Sequence, residues 1–122
     1  MKNRIFRVTK KDIDLFCKLT VDNNSLHTNK VKNLYQGKFK KILVPGILII
    51  SKINQILSQN YNGALIVDII SNFKRPVFVN ESYVQKSKIT IINKKNNLYE
   101  LQSVISKNRD ILSVITVNFI KP

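Results

Sequence analysis

The spacing of apolar side chains along this chain switches once, near Gly63, from a helical period to a period of two. Before the switch, Ile5, Phe6 and Val8 mark a short first strand. Thr9 then reads as a helix N-cap, with Asp12 three residues on as the weaker half of a capping box. Ile13, Phe16, Cys17 and, one turn later, Thr20 recur at helical spacing, while Lys10, Lys11, Asp14 and Lys18 take the other side. Residues 22–27 form a loop, and a short helical or irregular piece over 29–36 ends at Gly37. Pro45-Gly46 precedes the most apolar helix, predicted over 47–59. Ile47, Ile50, Ile53, Asn54 and Leu57 share one face of it, and Leu48, Ile49 and Ile56 widen the apolar surface nearly all round, as in a helix buried on several sides. Asn60-Tyr61-Asn62-Gly63 stops it.

Beyond Gly63 the segments are rich in β-branched residues, and strands are predicted over 64–73, 83–93, 98–106 and 111–120. The turns Lys94-Lys95-Asn96-Asn97 and Lys107-Asn108-Arg109-Asp110 carry Asn and Asp, which tolerate the left-handed backbone of hairpins. A strand, helices, one long buried helix and then an antiparallel meander make an α+β domain, with the sheet wrapped around the long helix. At 122 residues the expectation is a single domain over 1–122.

Composition narrows the classes. A hydrophobic fraction of 43% fits a globular protein, and no stretch nears the roughly 20 apolar residues that cross a bilayer. The start, Met1-Lys2-Asn3-Arg4-Ile5, is basic but lacks a signal-peptide core, so a cytoplasmic protein away from membranes is expected. Cys17 has no partner for an internal disulfide and reads as a buried structural thiol beside Ile13 and Phe16. The net charge of +14 fits attraction to an anion, but Lys, Asn and Ile make up 50 of the 122 residues, and this compositional bias accounts for much of the lysine. One stretch stands apart. Lys30, Lys32, Lys38, Lys40 and Lys41 lie between the histidine and Gly46 with no acid among them. No nucleic-acid partner is expected, since no helix-turn-helix, zinc-finger or RNP-type signature is present.

The candidate chemistry lies in Asp22-Asn23-Asn24-Ser25-Leu26-His27. His27 is the only histidine, five residues after a carboxylate, in a loop where functional groups are commonly displayed. An imidazole near a carboxylate and an amide is a proton-transfer set. This segment resembles the Asp-x-Asn-Pro-x-His motif of the MaoC-like, R-specific enoyl-CoA hydratases, which have the hot-dog fold. Three further matches keep that family's order: Phe16 ahead of the motif, Val44-Pro45-Gly46-Ile47-Leu48 with Ser51 at the start of the central helix, and Phe73-Lys74-Arg75-Pro76-Val77-Phe78 leading into the meander. The departures are Ser25 for the usual proline, Val21 for a small residue, often glycine, and Asn80-Glu81 where Gly-Asp usually stands. They point to an outlying subfamily.

The resemblance implies R-specific hydration of trans-2-enoyl thioesters, and the reverse dehydration of 3-hydroxyacyl thioesters. His27 would be the base, with Asp22 fixing the ring and the water. Asn24 would order the loop or the water, and the Gly46 amide would bind the thioester carbonyl. Pro45, Ser51, Asn54, Lys40 and Lys41 complete the candidate substrate-binding set, although a Ser51 hydroxyl bonded to its own helix backbone is an equal reading. No metal or redox cofactor is implied. The acyl group would arrive on coenzyme A or on the phosphopantetheine of an acyl carrier protein, and the family's pairing of such domains implies a homodimer or higher homo-oligomer. A hot-dog thioesterase and a catalytically silent acyl-thioester-binding protein are the alternatives. The thioesterase usually places a carboxylate on the central helix, and none lies between Ile47 and Gln59.

Overall fold

The structure is a computed structural model that describes residues 3–122, so the reading of the basic start at Met1 and Lys2 lies outside the described residues. A short strand β1 (Arg4–Phe6) leads to helix α1 (Lys10–Thr20), and three 3-10 turns fill residues 25–37. Helix α2 (Gly46–Asn60) follows, and then strands β2 (Leu65–Phe73), β3 (Tyr83–Asn93), β4 (Leu98–Lys107) and β5 (Asp110–Ile120). The five strands form one antiparallel sheet in the order β1-β3-β4-β5-β2. Their bounds lie within a residue or two of those the alternation predicts.

The start of α1 is the expected capping box: Asp12 N–H donates to Thr9 Oγ1, and Thr9 N–H donates to Asp12 Oδ2 at 3.1 Å. The helix ends at Val21, which takes a left-handed conformation (φ 55°, ψ 40°). Two readings of this helix need correction. Cys17 is half-buried rather than a core thiol, and Thr20 is exposed, its hydroxyl bonded back to Phe16 O. Only Ile13 of α1 is fully buried.

Leu48, Ile49, Ile53, Ile56 and Leu57 of α2 are buried in one cluster with Leu101 and Ile105 of β4 and Ile115, Val117 and Phe119 of β5. The helix therefore rests on the centre of the sheet, where alternate side chains of β4 and β5 point inward. Ile47, expected on the buried face, is 62% exposed because that side of the first turn has no element over it. The helix buries one face rather than several, since Ser51, Gln55, Ser58, Gln59 and Asn60 are exposed along with Ile47, and the seating of that face on the sheet fixes where its amino end, and with it Gly46, stands relative to the loops.

The turns show which residues take left-handed backbone. Asn97 does so in the β3–β4 turn, and Asn108 with Arg109 in the β4–β5 turn, so the second role falls to Arg109 rather than to Asp110. Strand β2 lies at the sheet edge, and all nine of its residues are exposed. No helix is long and apolar enough to cross a membrane among the described residues.

Candidate active site

The loop after α1 is built from its own side chains. Asp22 Oδ1 accepts from Asn24 N–H (2.9 Å), Asn24 Oδ1 accepts from Leu26 N–H (3.0 Å), and His27 N–H donates to Asn24 O (3.0 Å). These are Asx turns, and they close residues 25–27 into a 3-10 turn. Asn24 is exposed, and its amide oxygen is occupied in capping that turn.

The loop is then tied to the segment before α2. Leu43 N–H donates to Leu26 O (3.0 Å), and the His27 ring bonds back through Nδ1 to Leu43 O at 2.7 Å. A carbonyl oxygen only accepts, so Nδ1 carries a proton, and it is Nε2 that holds the lone pair in the neutral form of the ring. Nε2 lies 4.0 Å from Asp22 Oδ2. That gap is too wide for a direct hydrogen bond and suits a water between them. The His27 side chain is 11% exposed and that of Asp22 32%, so the imidazole is sheltered while the carboxylate meets solvent.

Both groups line a cavity of about 660 Å³ between α1 and the 3-10 turns, with Lys10, Asp14, Cys17, Lys18 and Lys30 also on its wall. Burial and the nearby carboxylates of Asp22 and Asp14 push the Cys17 thiol up, against the pull of Lys10. It stays protonated at neutral pH and is a poor nucleophile.

Gly46 lies in a neighbouring cavity of about 290 Å³ with Leu43, Ile49, Phe73 and Pro76. It is the first residue of α2, and Pro45, buried beneath it, provides no side-chain cap. First-turn amides have no partner inside a helix, and the dipole there favours negative charge. A side chain at Gly46 would run into the Phe73 ring, since an added Cβ would stand 2.8 Å from Cε2. Leu43 joins the two halves, with its carbonyl on His27 and its flank on the Gly46 cavity.

The remaining candidates lie apart from both cavities. The exposed Ser51 hydroxyl donates to Ile47 O (3.0 Å), its own helix backbone. Asn54 is half-buried further along α2, lines a small pocket with Tyr61 and Ile66, and leaves its Oδ1 without a partner. Lys40 and Lys41 are exposed, and Lys41 bonds to Glu81 Oε1 (3.2 Å), which Lys107 also reaches (3.3 Å). Leu43 is the contributor that sequence reasoning missed, because a backbone carbonyl leaves no trace in side-chain pattern.

The departures from the motif have local accounts. Asn80 adopts φ 62°, the conformation that a glycine supplies most freely and that asparagine tolerates, so its place there is structurally sound. Ser25 occupies the first position of a 3-10 turn that Asn24 already caps. Val21 is the strained one, a β-branched residue held in the left-handed region.

The family described as MaoC like domain matches residues 2–108. The mitochondrial 3-hydroxyacyl-acyl-carrier-protein dehydratase FERN of Solanum lycopersicum is 31% identical over 88 residues, 72% of this chain and 53% of that protein. The chain thus spans about half the length of this curated relative. Among solved structures, the (R)-hydratase from A. caviae involved in PHA biosynthesis superimposes with a TM-score of 0.86 at 20% identity, over 99% of this chain and 93% of that one. An R-hydratase from Pseudomonas aeruginosa gives 0.79 at 16% identity, over 99% and 79%. The sheet-and-helix arrangement is the hot-dog fold, and with the family match running over most of its length, the chain belongs to the MaoC-like domain family.

Proposed function

We propose that this protein adds water to trans-2-enoyl thioesters to give (R)-3-hydroxyacyl thioesters, and catalyses the reverse dehydration. The observation that carries this reading is the bond from His27 Nδ1 to Leu43 O, which fixes the tautomer and turns the basic Nε2 towards Asp22 Oδ2 at 4.0 Å. A water between them gives up a proton to Nε2 as its oxygen bonds to C3 of the enoyl group. The C2=C3 electron pair moves onto the thioester carbonyl as an enolate. The imidazolium, stabilised by the Asp22 carboxylate, returns a proton to C2, so that H and OH have been added across the double bond.

The enolate oxygen needs a donor, and the Gly46 N–H at the positive end of α2 is the suited one. A donor of this kind lowers a barrier by about 3 kcal/mol. Asn24 acts on the loop, holding Asp22 and His27 at their spacing. The acyl carrier is coenzyme A or a phosphopantetheine-bearing protein. A homodimer through β2 is part of the same reading: this edge strand exposes Leu65, Val67, Ile70 and Phe73 by 43–63%, together with unpaired backbone groups.

The test is hydration of crotonyl-CoA, followed by loss of enoyl absorbance. His27→Ala and Asp22→Asn are each expected to lose about 10²-fold or more of kcat/KM. Full activity in either variant would overturn the dyad assignment.

A further inference from the structure

We propose that the outward face of α1 is a docking surface for an acidic carrier protein, which delivers the acyl thioester into the His27 cavity. The proposal rests on the hydratase reading above and names its partner. Around the axis of α1, Cys17, Lys10, Asp14 and Lys18 form the stripe that lines the cavity. At 100° per residue the next stripe is Lys11, Leu15 and Leu19, and Val21 lies just past the helix end in its left-handed cap. Leu15 is 60% exposed, Leu19 84% and Val21 77%. Each is the chain neighbour of a residue on the cavity wall, Leu15 of Asp14, Leu19 of Lys18 and Val21 of Asp22, so three large apolar side chains lie open close to that cavity without lining it.

A small ligand inside the cavity would not cover them, since none of them is on its wall. Covering them takes a macromolecule. Its charge follows from the lysines around the patch. Lys10 is paired with Asp14, whereas Lys11, Lys18 and Lys30 form no ion pair among the described residues. An acidic partner complements them, and the net charge of +14 favours its approach from a distance. A second copy of this chain is disfavoured, because a symmetric contact would set the same lysines against each other. A lipid surface would close the cavity mouth against the substrate, whereas a carrier bound beside the cavity directs its phosphopantetheine arm inward. Lys41, one of the candidate substrate-binding residues, is already bonded to Glu81.

The experiment uses three variants: Lys11→Glu, Leu15→Gln/Leu19→Gln and the combined triple. All these positions are exposed, and a negative charge at residue 11 suits the first turn of a helix. Rates are measured with the crotonyl thioester of a bacterial acyl carrier protein and with the crotonyl thioester of N-acetylcysteamine, which is too small to reach the patch. Fluorescence anisotropy reports binding of the labelled carrier.

We expect the triple variant to lose about tenfold or more in kcat/KM with the carrier-borne substrate, with loss of carrier binding and no change on the truncated thioester. Equal rates for native and variant proteins on the carrier-borne substrate, or no carrier binding by the native protein, would overturn the proposal. So would binding of the native protein to phosphatidylglycerol vesicles, lost in the same variants, without binding to the carrier. Native protein that turns over neither thioester but binds the carrier in an α1-dependent way would refute the hydratase reading and leave the docking surface standing.

Discussion

Replacing Gly46 by alanine tests the packing at the start of α2. The backbone there is helical, without a positive φ, so the change brings no backbone strain. In a helix interior alanine is favoured over glycine by about 1 kcal/mol, and at the first position somewhat less. Against this, the new Cβ would stand 2.8 Å from Cε2 and 2.9 Å from Cζ of Phe73. Carbon atoms settle at about 3.5–4.0 Å, so the ring must retreat by roughly 0.7 Å at its nearest atom. Overpacking costs about 1–3 kcal/mol, and a clash with one side-chain ring outside the core belongs at the low end, about 1–1.5 kcal/mol. Phe73 is such a ring, 43% exposed on an edge strand. In the native background Gly46→Ala is therefore expected to destabilise by about 0–1 kcal/mol, and in the Phe73→Ala background to stabilise by about 0.5–1 kcal/mol. Urea unfolding of the four proteins at one protomer concentration gives the coupling energy, expected at about 1–1.5 kcal/mol. A coupling within about 0.3 kcal/mol of zero would refute the argument.

Val21→Asn should stabilise the protein by about 1 kcal/mol, raising Tm by about 4 °C, because asparagine accepts the left-handed conformation and the exposed valine has little burial to lose. A lowered Tm would show that the valine side chain makes a contact worth more than its strain. Partial burial alone would raise the Glu81 carboxyl, but hydrogen bonds and charge from Lys41 and Lys107 outweigh it and hold the group below its ordinary 4.5. A depressed folded-state value means stability that is present above that ordinary value and lost as the pH falls through the folded one. Glu81→Gln should accordingly flatten the acid limb of stability below about pH 4.5, and an unchanged limb in acid titrations followed by circular dichroism would count against it. Ile70→Lys, on the open edge strand, should convert a dimer into a monomer in light scattering at micromolar concentration. A native protein that is itself monomeric would remove β2 as an interface.

Much of this molecule was legible in order along the chain. The capping box at Thr9 and Asp12, the long apolar helix and the four strands after Gly63 follow from local chemistry: hydrogen bonds between near neighbours and periods that place side chains on one face. The pairing of Asp22 with His27 was legible for the same reason, since five residues of Asx turns bring the two together without help from the rest of the chain. The tautomer of His27 was not. It depends on the carbonyl of Leu43, sixteen residues away, and a backbone group looks the same beneath every side chain.

The fates of Ile47 and Cys17 were likewise beyond periodicity, which gives a face its polarity but not what stands opposite. Ile47 lies on an apolar helix turn that nothing covers, and Cys17 borders a cavity that exists only once the turns over residues 25–37 fold back beside α1. The separation of Gly46 from the His27 cavity, with Leu43 between them, has the same origin, because it is set by how α2 seats on the sheet. Local chemistry settles the elements and the spacing of Asp22 and His27, because those depend on residues within a turn or two of one another. Which ring nitrogen of His27 faces Asp22, which lysines are already paired and which apolar side chains are left open come from the folded arrangement alone, because each depends on contacts between segments distant in the chain.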